Sequence, residues 1–249
     1  MINLLNEFDK YVDKYDMNDS MIKLKRYHSY RVMDLCRAIA ESEKLNEEDT
    51  YLAIVIGLLH DYARFEQWTK YKTFRDIDSI DHGDLACELL FNNNEIEKFN
   101  IDKKYYDVIY DAIKYHNKYS YPESLDERHK FFCKLIKDAD KLDIFYLYSC
   151  GDIKLPTDNS KISDKIINDF FENKLLKKKD SKNVNDDILF KIAMVFDLNF
   201  EYSFKHMKNN RILDSMLNKI ENKKLFEPYF DYVKDVIEKR EKVYVRKKI

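Results

Sequence analysis

The apolar run from Tyr51 to Ile56 is hydrophobic on every side, so a helix built from it must be buried on every side. The rest of the chain has to pack around that helix. The run continues through Gly57, Leu58 and Leu59 and ends on His60 and Asp61. An unpaired charge at the end of a central helix is costly. Two readings answer that cost. One is a buried His–Asp hydrogen bond; the other is a divalent cation, for which imidazole and carboxylate are good ligands. Arg64 lies one turn after Asp61 and shares its face if the helix continues. Upstream, Asn46 or Asp49 can cap the helix.

Turn formers are scarce: 3 glycines and 3 prolines in 249 residues, against a charged fraction of 36%. Few strands and tight turns can be built from that composition, which predicts an all-α fold. The periodicity places a short amphipathic helix over 2–18 and a second over 21–40, with His28 on its apolar stripe. Residues 65–80, with Trp68, Tyr71 and Phe74, carry no clean period and read as an ordered loop or broken helix, a natural place for substrate contacts. Further helices are expected from Asp81-His82-Gly83 and over 103–117, where His116 completes the stripe Tyr105, Val108, Ile109, Ala112, Ile113. A helix over 125–149 carries the stripe Phe132, Leu135, Ile136, Ala139, Asp140, Asp143, Leu147. Asp138 is about 200° from Asp140 round that helix and falls with Lys134, Lys137 and Lys141 on a polar face, so the period turns Asp140 to the core. His129 shares the stripe but lies about 16 Å along the helix, too far for the same site.

Residues 150–160 hold a Gly, a Pro and several turn formers and mark the best boundary. The expected organisation is a helical core over 1–150 and a C-terminal helical extension over 151–249. The extension should have helices near 161–176, 186–208, 211–220 and 224–246, packed as part of one domain. Lys177–Lys182 reads as a solvated loop.

With 44 basic and 46 acidic residues, no global field favours nucleic acid. Cys36, Cys87, Cys133 and Cys150 form no CxxC pair and read as reduced core residues. The first ten residues lack the apolar region of a signal peptide, and the longest uncharged apolar run is about half the ~20 residues of a membrane span. A soluble, cytoplasmic chain is expected. Homo-oligomerisation is left open. No Rossmann, P-loop or cysteine-nucleophile signature is present.

His28, His60, Asp61, His82, His116 and Asp140 all fall on core-facing positions of separate helical segments. Helical bundles build metal sites by projecting ligands inward in this way. In order and spacing, His28, His60-Asp61 and Asp140 within Ala139-Asp140-Lys141-Leu142-Asp143 resemble the motifs of the HD-domain superfamily of metal-dependent phosphohydrolases. The resemblance covers roughly residues 20–150. The stretch His60-Asp61-Tyr62-Ala63-Arg64-Phe65-Glu66-Gln67, then Thr73-Phe74-Arg75-Asp76, Ser79 and Asp81-His82, is similar to that of uncharacterised bacterial HD proteins. The resemblance implies one metal on His28, His60, Asp61 and Asp140. His82 and His116 match the extra histidines of members that hold two metals bridged by Asp61; phosphate contact or general acid catalysis is the alternative for them. No GYP motif follows His116, which argues against a cyclic-dinucleotide substrate.

The expected function is hydrolysis of a phosphoester or phosphoanhydride, with a nucleotide or related phosphorylated metabolite as small-molecule substrate. Asp61 would orient a metal-activated water, and Arg64, with Lys141 as a second candidate, would neutralise the phosphate. The cofactor would be one or two divalent ions per chain, among Mn, Co, Ni, Mg, Zn and Fe. Two rival classes fit the same residues: an HD-type di-iron oxygenase, and a non-catalytic nucleotide-binding regulatory module.

Overall fold

The computed structural model describes residues 2–247, and among them every regular element is helical, as the composition predicts. Contacts divide the chain into two compact units, one ending at Asp140 and the other beginning at Lys141.

The first unit contains α1 (Ile2–Val12), α2 (Ser20–Ser42), α3 (Glu47–Leu59), α4 (Arg64–Tyr71), α5 (His82–Cys87) and α6 (Tyr106–Tyr115), and the first part of α7 (Glu127–Cys150). Asn46 caps α3 by accepting from Asp49 N, and Glu47, Glu48 and Asp49 put negative charge on its positive end. From Leu52 to Leu59 every residue of α3 is buried, so it is the all-round core helix its sequence requires. α2 lies close against it. A Cβ added at Gly57 would sit 2.8 Å from both Cys36 Sγ and Met33 Cα, and 3.0 Å from Val32 O.

That approach fixes the place of His60, because Gly57 O accepts from His60 Nδ1. Gly57→Ala should gain about 1 kcal/mol of helix propensity. It must also push the α2 backbone away, at a cost of about 2–3 kcal/mol, the upper part of the overpacking range, because backbone atoms stand in the way. A net loss of about 1–2 kcal/mol is expected in chemical denaturation, and an unchanged or raised midpoint would show that α2 yields freely.

Segment 65–80 resolves into α4, then a left-handed residue at Lys72, then a single 3-10 turn at Asp76–Asp78. Trp68 Nε1 donates to Asp19 Oδ2 (2.8 Å), tying α4 to the N-cap of α2. Tyr11 Oη donates to Tyr62 O (2.9 Å), holding α1 to the peptide just after the His60–Asp61 pair.

The second unit contains the remainder of α7 with α8 (Asp164–Phe171), α9 (Val184–Ile192), α10 (Glu201–Asn209), α11 (Ile212–Asn218) and α12 (Lys223–Lys247). The single helix expected over 186–208 is two, separated by a 3-10 stretch at Ala193–Asp197. Arg240 Nη1 donates to Phe196 O and Leu198 O, and Asn199 Nδ2 donates to Asp197 O, so these carbonyls bond to side chains where a helix would need them for its own ladder. α8 stops short of the expected 176, with Asn173 left-handed at φ 56°.

α7 corrects the amphipathic reading. Phe132, Cys133, Leu135 to Ala139 and Lys141 to Asp143 are all buried, with Lys137, Asp138 and Lys141 among them. Lys137 Nζ donates to Lys118 O, and Lys141 Nζ to Asp197 Oδ2 (2.7 Å). The lysines are buried because each ammonium reaches a partner distant in sequence. Three cysteines are buried and unpaired as expected, while Cys150 is exposed. No helix among the described residues is long and apolar enough to cross a membrane.

Candidate metal centre

His60 is the C-cap that follows α3 and His116 the C-cap that follows α6, and the two rings use one device. The last carbonyls of a helix lack intrahelical donors. His60 Nδ1 donates to Gly57 O (2.8 Å), and His116 Nδ1 to Ile113 O (2.6 Å). A carbonyl only accepts, so Nδ1 carries the proton in both rings and each Nε2 is turned away from its helix. His82, the first residue of α5, reaches the same state through Asp76, whose two carboxylate oxygens accept from its Nδ1 at 2.9 and 2.7 Å. His28 comes from the middle of α2.

These four rings meet around Asp61, whose two oxygens face two histidine pairs. Oδ2 lies 3.3 Å from His28 Nε2 and 3.5 Å from His60 Nε2; Oδ1 lies 3.4 Å from His82 Nε2 and 3.7 Å from His116 Nε2. His28, His60 and Asp61 form one group able to hold a metal ion, and Asp61, His82 and His116 a second, all buried. Asp140 Oδ1 stands beside the first, 3.1 Å from His28 Nε2 and 3.7 Å from His60 Nε2.

The donor chemistry fits a cation. His82 Nε2 and His116 Nε2 are 2.9 Å apart, with both Nδ1 atoms already donating elsewhere. Two lone pairs face each other at hydrogen-bond distance unless a positive charge lies between them. Burial, aided by the Arg64 guanidinium, holds the His82 pKa down at about 3, so this ring is neutral near pH 7. Burial likewise lowers His60. Burial alone would raise Asp61, but Lys25, His60 and Arg64 outweigh it and hold its carboxyl well below the usual range. The same opposition, with His28 and His60 as the stronger influence, keeps Asp140 ionised. Neutral imidazoles and ionised carboxylates are the forms that ligate metals.

Arg64 shares the face of Asp61, as its position one turn on suggests. Its Nε donates to Asp61 Oδ1 (3.3 Å) and its Nη1 to Gln67 Oε1, Phe74 O and Asp76 Oδ1, at 2.6, 2.7 and 3.1 Å. Of the fork expected for a phosphate, Nε and Nη1 thus bond within the protein. Lys141, the second cation expected there, bonds to Asp197. The cation that meets the centre is Lys25, whose Nζ lies 2.6 Å from Asp61 Oδ2 and 5.3 Å from the centre of the Phe74 ring. Sequence reasoning passed over Lys25, although it precedes His28 by three residues on one helix face, a spacing that brings side chains together. It named Gln67 and Asp76 only within the family-like stretch, without a role, and passed over Asn117. His129 bonds through Nδ1 to Asp111 Oδ2 (2.6 Å) and belongs to neither group.

The family model described as the HD domain matches residues 26–144, a span that holds His28, His60, Asp61, His82, His116 and Asp140. No curated protein and no solved structure matches the chain.

Proposed function

We propose that the HD domain over residues 26–144 is a metal-dependent phosphohydrolase that uses two divalent ions on the groups sharing Asp61. The observation that carries this reading is the division of one carboxylate between two histidine pairs, with His82 Nε2 and His116 Nε2 turned to each other at 2.9 Å. His28, His60, Asp61 and Asp140 would hold one ion, and Asp61, His82 and His116 the other. Divalent ions there supply a lowered pKa for water and polarisation of a phosphoryl oxygen. Asp61 is oriented for that task by Lys25 on Oδ2 and Arg64 on Oδ1. Its charge also offsets theirs in a site sheltered from solvent.

The substrate class is a phosphoester or phosphoanhydride, of a nucleotide or related metabolite. Lys25 is the group that meets an incoming phosphoryl oxygen, with its side chain only 13% exposed and its ammonium at the centre. A hydrogen bond to a charged group contributes about 1.5–3 kcal/mol. Lys25→Met should therefore lower kcat/KM by roughly 10- to 100-fold, with ion uptake retained. A variant that keeps full kcat/KM removes Lys25 from substrate contact.

The deciding experiment is elemental analysis of protein purified without chelator, followed by phosphate release from a panel of nucleotides and phosphorylated metabolites under anaerobic conditions. Two ions per chain and anaerobic phosphate release support the reading. A chain that takes up no metal even on titration defeats it. The four-histidine, two-carboxylate set also suits iron, so iron content with oxygen-dependent substrate loss would assign an oxygenase instead.

A further inference from the structure

We propose that Asp76 is the positioning residue of the His82 side of this centre, fixing His82 as its Nδ1–H tautomer with Nε2 turned to Asp61 and His116. The inference rests on the two-ion reading above.

Five contacts converge on the Asp76 carboxylate from three directions. His82 Nδ1 donates to both oxygens, at 2.9 and 2.7 Å. From α4, Arg64 Nη1 and Gln67 Nε2 donate to Oδ1, at 3.1 and 3.0 Å. Just beyond α6, Asn117 Nδ2 donates to Oδ2 at 3.0 Å. These donors are themselves held. Gln67 is fully buried, and its Nε2 also donates to Ser79 Oγ and Ile80 O, each at 2.9 Å. Asn117 Nδ2 also donates to Asp81 Oδ1 (3.0 Å), the side chain that caps α5. The neighbouring acids have other work: Asp81 caps α5 through Asp84 N, and Asp78 pairs with Arg75.

Asp76 lies on the 3-10 turn that precedes α5, and its carboxylate is 29% exposed. A carboxylate bonded to the far nitrogen of an imidazole fixes the ring's tautomer and orientation and makes the ligating nitrogen more basic. The geometry matches that arrangement: Nδ1 faces Asp76, and Nε2 lies 3.4 Å from Asp61 Oδ1. Arg64 joins both carboxylates, since its Nε donates to Asp61 and its Nη1 to Asp76. Gln67, Asp76 and Asn117 thus form a support for His82, and within segment 64–82 Arg64, Gln67 and Asp76 are bonded toward the ligand.

The test uses the full chain, with Co2+ titrated by calorimetry and visible absorption, and the metal-free protein selectively labelled with 15N-histidine. Asp76→Asn puts an amide among donors and removes the charge; Asp76→Glu keeps the charge and moves it by one methylene. Asp76→Asn is expected to weaken one of the two Co2+ sites by roughly 10- to 100-fold and leave the other within twofold. The His82 15N signals should shift from a single Nδ1–H tautomer to a mixture. Asp76→Glu should recover part of both effects, which a merely structural loop contact would not do. Two Co2+ sites of unchanged affinity in Asp76→Asn, with the His82 tautomer intact, overturn the positioning role alone. Equal weakening of both sites in the two variants also overturns it, since the effect is then not on His82. Fewer than two sites in the unaltered protein overturns the two-ion reading, and this inference with it.

Discussion

Asp61→Asn should bind neither ion tightly and should release phosphate at least about a thousandfold more slowly than the unaltered chain. The carboxylate is the one ligand common to both histidine groups, with Oδ2 toward His28 and His60 and Oδ1 toward His82 and His116. An amide offers one oxygen and no charge, so one group loses its anionic ligand outright and the other keeps a weaker one. A loss of about 4 kcal/mol in transition-state stabilisation is a thousandfold in rate, within what metal polarisation supplies. The same change acts on the fold with opposing signs. Burying Asp61 costs desolvation, but Lys25 and Arg64, each 13% exposed, lose the carboxylate that offsets them. Breaking such a pair from one side costs about 3–5 kcal/mol. Circular dichroism should therefore show the helices retained with a lowered melting temperature. Asp111→Asn, whose carboxylate bonds to the outlying His129, should change neither ion uptake nor rate. Full turnover by Asp61→Asn would overturn the mechanism.

The helices and the six ligand candidates share one signal, and it is periodicity. α3 is readable because it is apolar on all sides, and His28, His82, His116 and Asp140 because each continues an apolar stripe. Histidine on such a stripe either bonds locally or serves a site, and period alone does not separate the two. What separates them is the Nδ1 commitment of His60 and His116 to helix-end carbonyls, visible only once helix ends are fixed. The roles of Asp76 and Gln67 escape because segment 65–80 has no period, and that of Asn117 because it follows the last stripe residue of its helix; all three come from convergence on one carboxylate across up to 41 residues of sequence. α7 misleads for a related reason. A lysine every three or four residues reads as a solvated face, yet Lys137 and Lys141 are buried on partners 19 and 56 residues away. Arg64 lies on the face that helix spacing predicts, but the bonds of its Nη1 to Gln67, Phe74 O and Asp76 are not something helix spacing reveals.

Stripping the ions with chelator should abolish phosphate release and lower the melting temperature by about 8–16 °C per ion, with both restored on adding back the divalent metal. An ion that binds only the folded chain stabilises it by RT ln(1 + [L]/Kd), about 4 kcal/mol when free metal is a thousandfold above Kd. For a chain of this size each kcal/mol shifts the midpoint by roughly 2–4 °C. The site gives a physical reason for the sign. Without an ion, the Lys25 ammonium and the Arg64 guanidinium lie beside Asp61 Oδ2 and Oδ1, and His82 and His116 keep their Nε2 atoms 2.9 Å apart. A divalent ion between those two nitrogens relieves the facing lone pairs, and ions on the two groups cross-link α2, α3, α5 and α6, which carry or adjoin the four rings. The shift should therefore be largest for the first unit, whose helices supply every ligand, and a probe in that unit is the place to read it. Trp68, the one tryptophan of the chain, sits on α4 against Phe74 at 5.0 Å and serves as that probe. Chelation that leaves the Trp68 fluorescence transition where it was, in protein shown by elemental analysis to have lost its metal, would mean that the cluster is held by the protein alone and that the ions contribute nothing to folding.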